Sequence, residues 1–224
     1  MKILKVTVAR TIWLFPVAEM NPQGKAIETE LIDWLKKTYQ FAKYPVSAFD
    51  LDPETKALAF TGGKFLAGRE SGKERYIALG LALYKDGLVV NTESSTSDGE
   101  KFLAEVLDSV AKEFNLILPE KIQKKLYLNE MDVRLDRSIS LLNPKLNSIA
   151  HRFSELRIED PNTGFTFSGI SFHVEPEKQA VLSPFLLERK LNTDWSENRY
   201  YTRAPLHTDA HIKILEEIES ILIP

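Results

Sequence analysis

The sequence predicts an α+β fold, a mostly antiparallel sheet with its helices on one face, and three observations carry that expectation. Apolar residues alternate with polar ones through several short runs, as half-buried strands require. Glycine-bearing turns join neighbouring runs directly, and such hairpins build antiparallel sheet. Between them lie segments whose apolar residues recur at three-to-four spacing, the mark of helices that bury one stripe.

The first strand runs from Leu4 to about Phe15, with Leu4, Val6, Val8, Ile12 and Leu14 on one face, and Pro16 closes it. After the turn at Asn21-Pro22-Gln23-Gly24, Ile27, Leu31, Trp34 and Leu35 mark a helix from about Ala26 to Phe41. Runs at Ala57 to Thr61 and Lys64 to Ala67 flank Gly62-Gly63, which predicts a tight hairpin. Tyr76 to Tyr84 and Leu88 to Thr92 flank Lys85-Asp86-Gly87, the strongest hairpin signal in the chain. A helix to about Phe114 follows, capped by Ser97 or Asp98, with Phe102, Leu103, Val106, Leu107 and Val110 on its stripe.

The second half starts with a strand at Tyr127 to Arg137. Asn143-Pro144 then opens a helix with Leu146, Ile149, Ala150, Phe153 and Leu156 as its apolar stripe. Strands are expected at Phe165 to Val174, Pro184 to Leu191 and Arg199 to Arg203, with turns at Pro176, Asn192 and Asn198. The last helix begins at Thr208 or Asp209 and turns Ile214, Leu215, Ile218, Ile221 and Leu222 inward.

The chain therefore divides into residues 1–114, a linker at 115–125, and residues 126–224. The first half reads β-α-β-β-β-β-α or β-α-β-β-β-α and the second β-α-β-β-β-α, which suggests internal duplication in a saddle-like or two-lobed arrangement. Ser97-Asp98 set against Thr208-Asp209 aligns Leu103 with Ile214 and Leu107 with Ile218. This order of elements resembles that of duplicated saddle folds such as the TATA-box-binding protein. The resemblance lies in element order alone, covers no sequence motif, and brings neither residues nor function with it.

Composition narrows the chemistry. The 224 residues include no cysteine, which removes disulfide frameworks, thiolate metal sites and cysteine nucleophiles together. Net charge is −3 and neither half is basic, unlike a chain that binds nucleic acid mainly through phosphate neutralisation. No signal-peptide pattern or membrane-length apolar run occurs, so the expectation is a cytoplasmic protein with no membrane partner.

Two clusters are candidates for function. Arg189, Trp195, Arg199, Tyr200, Tyr201 and Arg203 bring arginine and aromatic side chains together, a mixture suited to protein recognition or to stacked bases. If the run is a strand, one of the two tyrosines faces the core. His173, His207, Asp209 and His211 could bind a divalent transition metal, two of the histidines being four apart; against that, His211 falls on the side of Leu215 and Ile218, where a packed core histidine is expected. Glu130, Asp132 and Asp136 share a strand face with Arg134, either as a Mg²⁺ or acid–base pair or as cross-strand ion pairs answered by Arg189 and Arg199. Gly68 to Glu74 lacks the spacing and the following helix of a phosphate loop, and Ser94 to Ser97 is explained by capping.

The leading expectation is a non-enzymatic binding or assembly module that needs no cofactor and acts through a sheet face or the groove between similar halves. Its partner would be another protein or a second copy. A metal-dependent hydrolase or nuclease using the C-terminal His and Asp residues is the first alternative. Nucleic-acid binding through the Arg/Tyr strands is the second.

Overall fold

The computed structural model describes residues 1–70, 72–156, 164–175 and 183–222. Eight strands, β1 (Lys2–Leu14), β2 (Leu58–Glu70), β3 (Lys73–Tyr84), β4 (Gly87–Thr92), β5 (Lys124–Arg134), β6 (Gly169–Phe172), β7 (Phe185–Arg189) and β8 (Arg199–Ala204), form a sheet of order β2-β3-β4-β1-β5-β8-β7-β6. The β1–β4, β2–β3, β3–β4, β6–β7 and β7–β8 pairs are all antiparallel. The helices are α1 (Glu28–Tyr39), α2 (Thr96–Glu113), α3 (Pro144–Leu156) and α4 (Thr208–Leu222). The α+β expectation and the antiparallel sheet stand. Among the described residues no helix is long and apolar enough to cross a membrane.

The chain resolves into two compact units. The N-terminal unit is Thr7–Asn129 with Leu206–Thr208; the C-terminal unit is Met1–Val6, Glu130–Pro205 and Asp209–Pro224. In the N-terminal unit, Ile32 and Leu35 of α1 and Phe102, Leu103 and Val106 of α2 enter one apolar cluster with Trp13, Phe60, Leu79 and Val90 of the strands. Both helices thus lie on the same sheet face. The aromatic rings of Tyr39, Phe41, Phe60, Phe65 and Phe102 meet edge-on or tilted at 4.9 to 6.3 Å.

Gly62-Gly63 does not turn the chain. β2 runs through it, and the ladder to β3 shifts between Phe60 and Gly63 as a β-bulge. Gly62 has φ +71°, which supplies the left-handed residue of the bulge, and a Cβ on Gly63 would lie 2.4 Å from the Phe41 ring. Close approach of the chain to an aromatic ring, not hairpin closure, explains the glycine pair. The hairpin closes instead beyond the Arg69–Glu74 and Glu70–Lys73 pairs, so the glycine-rich stretch from Gly68 is largely strand.

The cap of α2 also moves. Ser95 Oγ accepts from the Asp98 N–H at 3.1 Å, so the helix starts at Thr96. Asp98, buried in the first turn, takes a two-pronged ion pair from Arg75 at 2.7 and 2.9 Å. The two halves consequently match one residue further on than the capping residues suggest. The first residues of α2 and α4 bond reciprocally: Thr96 N–H donates to Thr208 Oγ1 and Thr208 N–H to Thr96 Oγ1, each at 2.9 Å.

That register, 112 residues, holds from strand into helix without interruption. Leu88, Val90 and Thr92 correspond to Tyr200, Thr202 and Ala204, and Leu103, Val106 and Val110 to Leu215, Ile218 and Leu222, all buried. Phe15 N–H donates to Asp86 C=O as Leu135 N–H does to Asn198 C=O, which carries the correspondence to β1 and β5, there at an offset of 120 residues (135 − 15). Ile221, expected inside, is exposed; Glu219 and His211 are buried in its place.

The correspondence fails in the outer strand pairs, β2–β3 and β6–β7. β2 and β3 have 13 and 12 residues, whereas β6 and β7 have 4 and 5. The strands expected at Phe165 to Val174 and Pro184 to Leu191 are that much shorter, and Pro176 lies outside the described residues.

Gly99 of α2 packs where a Cβ would stand 2.6 Å from Thr11 Oγ1 and 3.1 Å from Val90. Gly99→Ala is therefore expected to destabilise the protein by about 1–3 kcal/mol despite alanine's better helix propensity. Urea denaturation of the wild type and variant checks this, a neutral or stabilised variant contradicting the tight approach.

Candidate interaction surface

The β7–β8 hairpin positions the arginine and tyrosine cluster. Asn192 and Asn198 take the left-handed conformation that asparagine tolerates, and Asp194 caps the short turn Trp195–Glu197 by accepting from Ser196 N–H at 2.8 Å. The register sets Arg189 opposite Tyr200, Glu188 opposite Tyr201 and Leu186 opposite Arg203. Strand alternation then sorts the six residues. Arg199, Tyr201 and Arg203 share the partly open face, while Arg189 and Tyr200 point into the core and Trp195 stands half-exposed on the connecting turn.

Arg189 is a structural cation. Its guanidinium donates to Asn198 Oδ1 at 3.3 Å, to Tyr200 Oη at 3.2 Å and to the Trp195 carbonyl, and lies over the rings of Trp195 and Tyr200 at 4.5 and 5.2 Å. Tyr200 Oη also accepts from Ile139 N–H at 3.1 Å. One arginine and one tyrosine therefore hold the hairpin turn, β8 and the segment after β5 together.

On the open face the cations are answered by carboxylates. Arg203 pairs with Glu130 at 3.2 Å, Lys190 with Asp132, and Arg199 with Glu197 at 3.5 Å. The carboxylates of β5 are thus cross-strand ion pairs, but with Arg203 and Lys190, not Arg189 and Arg199. Arg203 also donates to Tyr201 Oη at 3.2 Å. Burial raises the Tyr201 phenol above its ordinary value, opposed by Arg203 and reinforced by Glu130.

The four metal candidates are not brought together, and among the described residues no group of three or more His, Asp or Glu could hold a metal ion. His173 and Asp209 are exposed. His207 stacks on Tyr127, centroids 3.6 Å apart, with Nδ1 3.3 Å from Thr96 Oγ1. His211 is fully buried, its ring edge-on to Phe185 and its Nε2 2.8 Å from Thr202 Oγ1. Thr202 Oγ1 lies 2.9 Å from the Leu186 carbonyl as well, so the threonine hydroxyl sits between the imidazole and that carbonyl. His211 occupies the position of Gly99, and Thr202 that of Val90: a hydrogen-bonded pair in one half takes the place of a close apolar contact in the other.

Sequence reasoning missed two features. Around His207, the Tyr127 hydroxyl and the Lys125 ammonium both donate to Glu100 Oε1, at 2.8 and 3.1 Å. Burial opposes ionisation of Glu100, but these two donors outweigh it and hold the carboxyl below its usual range. Only the fold joins residues so far apart in the chain.

The second feature is α3. Its apolar stripe was legible, but its burial was not: no residue of the helix is buried, and Ile149, Phe153 and Leu156 are 52, 58 and 68% exposed. Leu141 and Phe165 extend the patch, Phe165 lying 6.0 Å from Phe153.

No protein-family model matches the chain, and no curated protein does. Among solved structures it is similar to Methanococcus jannaschii TBP, at 15% identity over 99% of this chain and 97% of that one, with a TM-score of 0.42. A likeness that loose says nothing about what this chain binds.

Burial lowers the His211 imidazole from 6.5 to about 4. The unfolded chain takes up a proton first, so stability is full above pH 6.5 and falls as pH drops toward about 4, by roughly 3 kcal/mol in all. His211→Gln should flatten this part of the stability–pH curve; an unchanged slope would count against the neutral buried ring. Arg189→Ala should cost about 2–4 kcal/mol, since it strips hydrogen bonds from buried groups, whereas Arg199→Ala should cost less than about 1 kcal/mol. Thermal denaturation of the two variants separates these expectations.

Proposed function

We propose that the protein is a non-enzymatic assembly module that self-associates through the apolar face of α3. The observation that carries this reading is a helix of strong amphipathic pattern with none of its residues buried. Its counterpart by element order, α1, buries Ile32, Leu35 and Tyr39 against the long strands β2 and β3 and against α2. In the C-terminal unit the corresponding strands are too short to offer such a bed, and α3 keeps Ile149, Phe153 and Leu156 in water. Contiguous exposed apolar side chains of this kind mark interaction sites. A two-fold contact suits them, because it buries the same face twice and closes on itself.

The polar rim fits the same picture. Lys145, Arg152 and Glu155 flank the stripe, and His151 pairs with Glu155 at 3.2 Å. Charges of both signs at the edge favour one register of two copies over many.

Sedimentation equilibrium or light scattering at tens of micromolar should show a dimer. Ile149→Asp together with Phe153→Asp should return it to monomer with little change in melting temperature, since neither side chain is buried in the chain itself. A wild type that stays monomeric at those concentrations, or a dimer that survives both substitutions, would overturn the proposal.

A further inference from the structure

The N-terminal unit contains an apolar cavity of about 250 Å³ between α1, α2 and the sheet. Phe15, Leu35, Leu81, Leu88 and Val106 are among its walls and are themselves almost wholly buried. Asn21 and Glu28 are the polar side chains of the lining, both at the α1 end. Protein interiors seldom leave a void much larger than a water molecule. Water is a poor occupant here, because an ordered water needs two to four polar partners and the inner walls supply none from their side chains.

The mouth is held in place by hydrogen bonds. Asn21 clasps Lys25 from both ends of its amide, Nδ2 to the Lys25 carbonyl at 2.8 Å and Oδ1 from the Lys25 N–H at 3.0 Å. Lys25 Nζ reaches the Asn115 carbonyl at 2.8 Å, and Ile117 N–H donates to the Met20 carbonyl at 2.9 Å. The segment between β1 and α1 is thereby fastened to the chain beyond α2. These bonds oppose inward collapse of the rim. Among the described residues that line the cavity Glu28 carries the charge, and Lys25, whose ammonium bonds the Asn115 carbonyl, is not one of them.

We propose that this cavity is a binding site for a small elongated apolar molecule with a cationic amine head, the chain lying among the leucines and the ammonium meeting Glu28. A cavity of about 150 Å³ accepts benzene, so this one has room for roughly ten non-hydrogen atoms. The apolar walls provide the affinity and the single rim carboxylate the orientation, the usual division of labour in small-molecule pockets. The site is separate from α3 and is independent of self-association.

The probes are unbranched primary alkylamines of four to twelve carbons, each kept below its micelle concentration, read by thermal shift and calorimetry on the full chain. Affinity should rise with length to about eight to ten carbons and then stop, with a melting-temperature increase of about 3–5 °C at tenfold excess over Kd. The carboxylate of equal length should bind at least about tenfold more weakly, and Glu28→Gln should remove that preference while keeping the length limit. Val110→Phe, or Ala18→Leu should the first fail to fold, fills the cavity and should abolish saturable binding. Ile149→Asp with Phe153→Asp should leave it intact. Affinity that climbs unbroken to twelve carbons, binding that survives both filling variants, or no saturable response in the folded wild type would overturn the site.

Discussion

The reciprocal bonds between Thr96 and Thr208 are the constraint around which the two halves are matched. The first N–H groups of a helix have no partner within it, and burying them unpaired is costly. Here the first residues of α2 and α4 answer each other, backbone N–H to side-chain hydroxyl in both directions at 2.9 Å. Nearby, the Thr11 hydroxyl donates to the Thr96 carbonyl at 3.1 Å and Asn129 donates to Thr208 Oγ1 at 3.1 Å, while the Asp98 carboxylate sits within the first turn of α2, where the positive end of the helix favours a negative charge.

From that point the 112-residue register shows what the two halves share and where they differ. Burial is preserved nearly residue for residue from β4 into α2 and from β8 into α4, because a strand face and a helix stripe leave little freedom once their ends are pinned. Chemistry is not preserved. Leu88 becomes Tyr200 with its hydroxyl taking Arg189 and Ile139, Val90 becomes Thr202, Gly99 becomes His211 and Leu107 becomes Glu219. Tyr200, Thr202 and His211 thus make hydrogen bonds where the matching Leu88, Val90 and Gly99 make apolar contacts.

Much of the architecture was legible because it rests on periodicity and local turn chemistry. β1, β4, β5 and β8, the Asp86-Gly87 hairpin and all four helices follow from alternation, three-to-four spacing and capping residues. The misreadings have identifiable causes. Gly62-Gly63 looks like a turn because two glycines permit one, yet a bulge beside the Phe41 ring demands the same residues. Ser97-Asp98 looks like a cap because several hydroxyls and a carboxylate stand in a row; which one accepts the bond depends on where β4 ends. In the arginine and tyrosine cluster, alternation correctly sent one tyrosine inward, but nothing in the composition said that Arg189 would follow it while Arg199 stayed out. The polar group of Tyr127, Glu100, Lys125 and His207 was invisible because its members meet only in three dimensions.

Helix α3 shows why a pattern is not yet an interaction. An apolar stripe states that a surface needs covering and leaves open what covers it. For α1 the cover is supplied by β2, β3 and α2, and the stripe disappears into the core. For α3 the strands at the corresponding place have 4 and 5 residues where the other half has 13 and 12, so the same kind of stripe ends half in water. Shortening a strand pair removes only its local ladder bonds and contacts, a modest change in a sheet otherwise intact. Its effect is to turn a core-facing helix into a surface one.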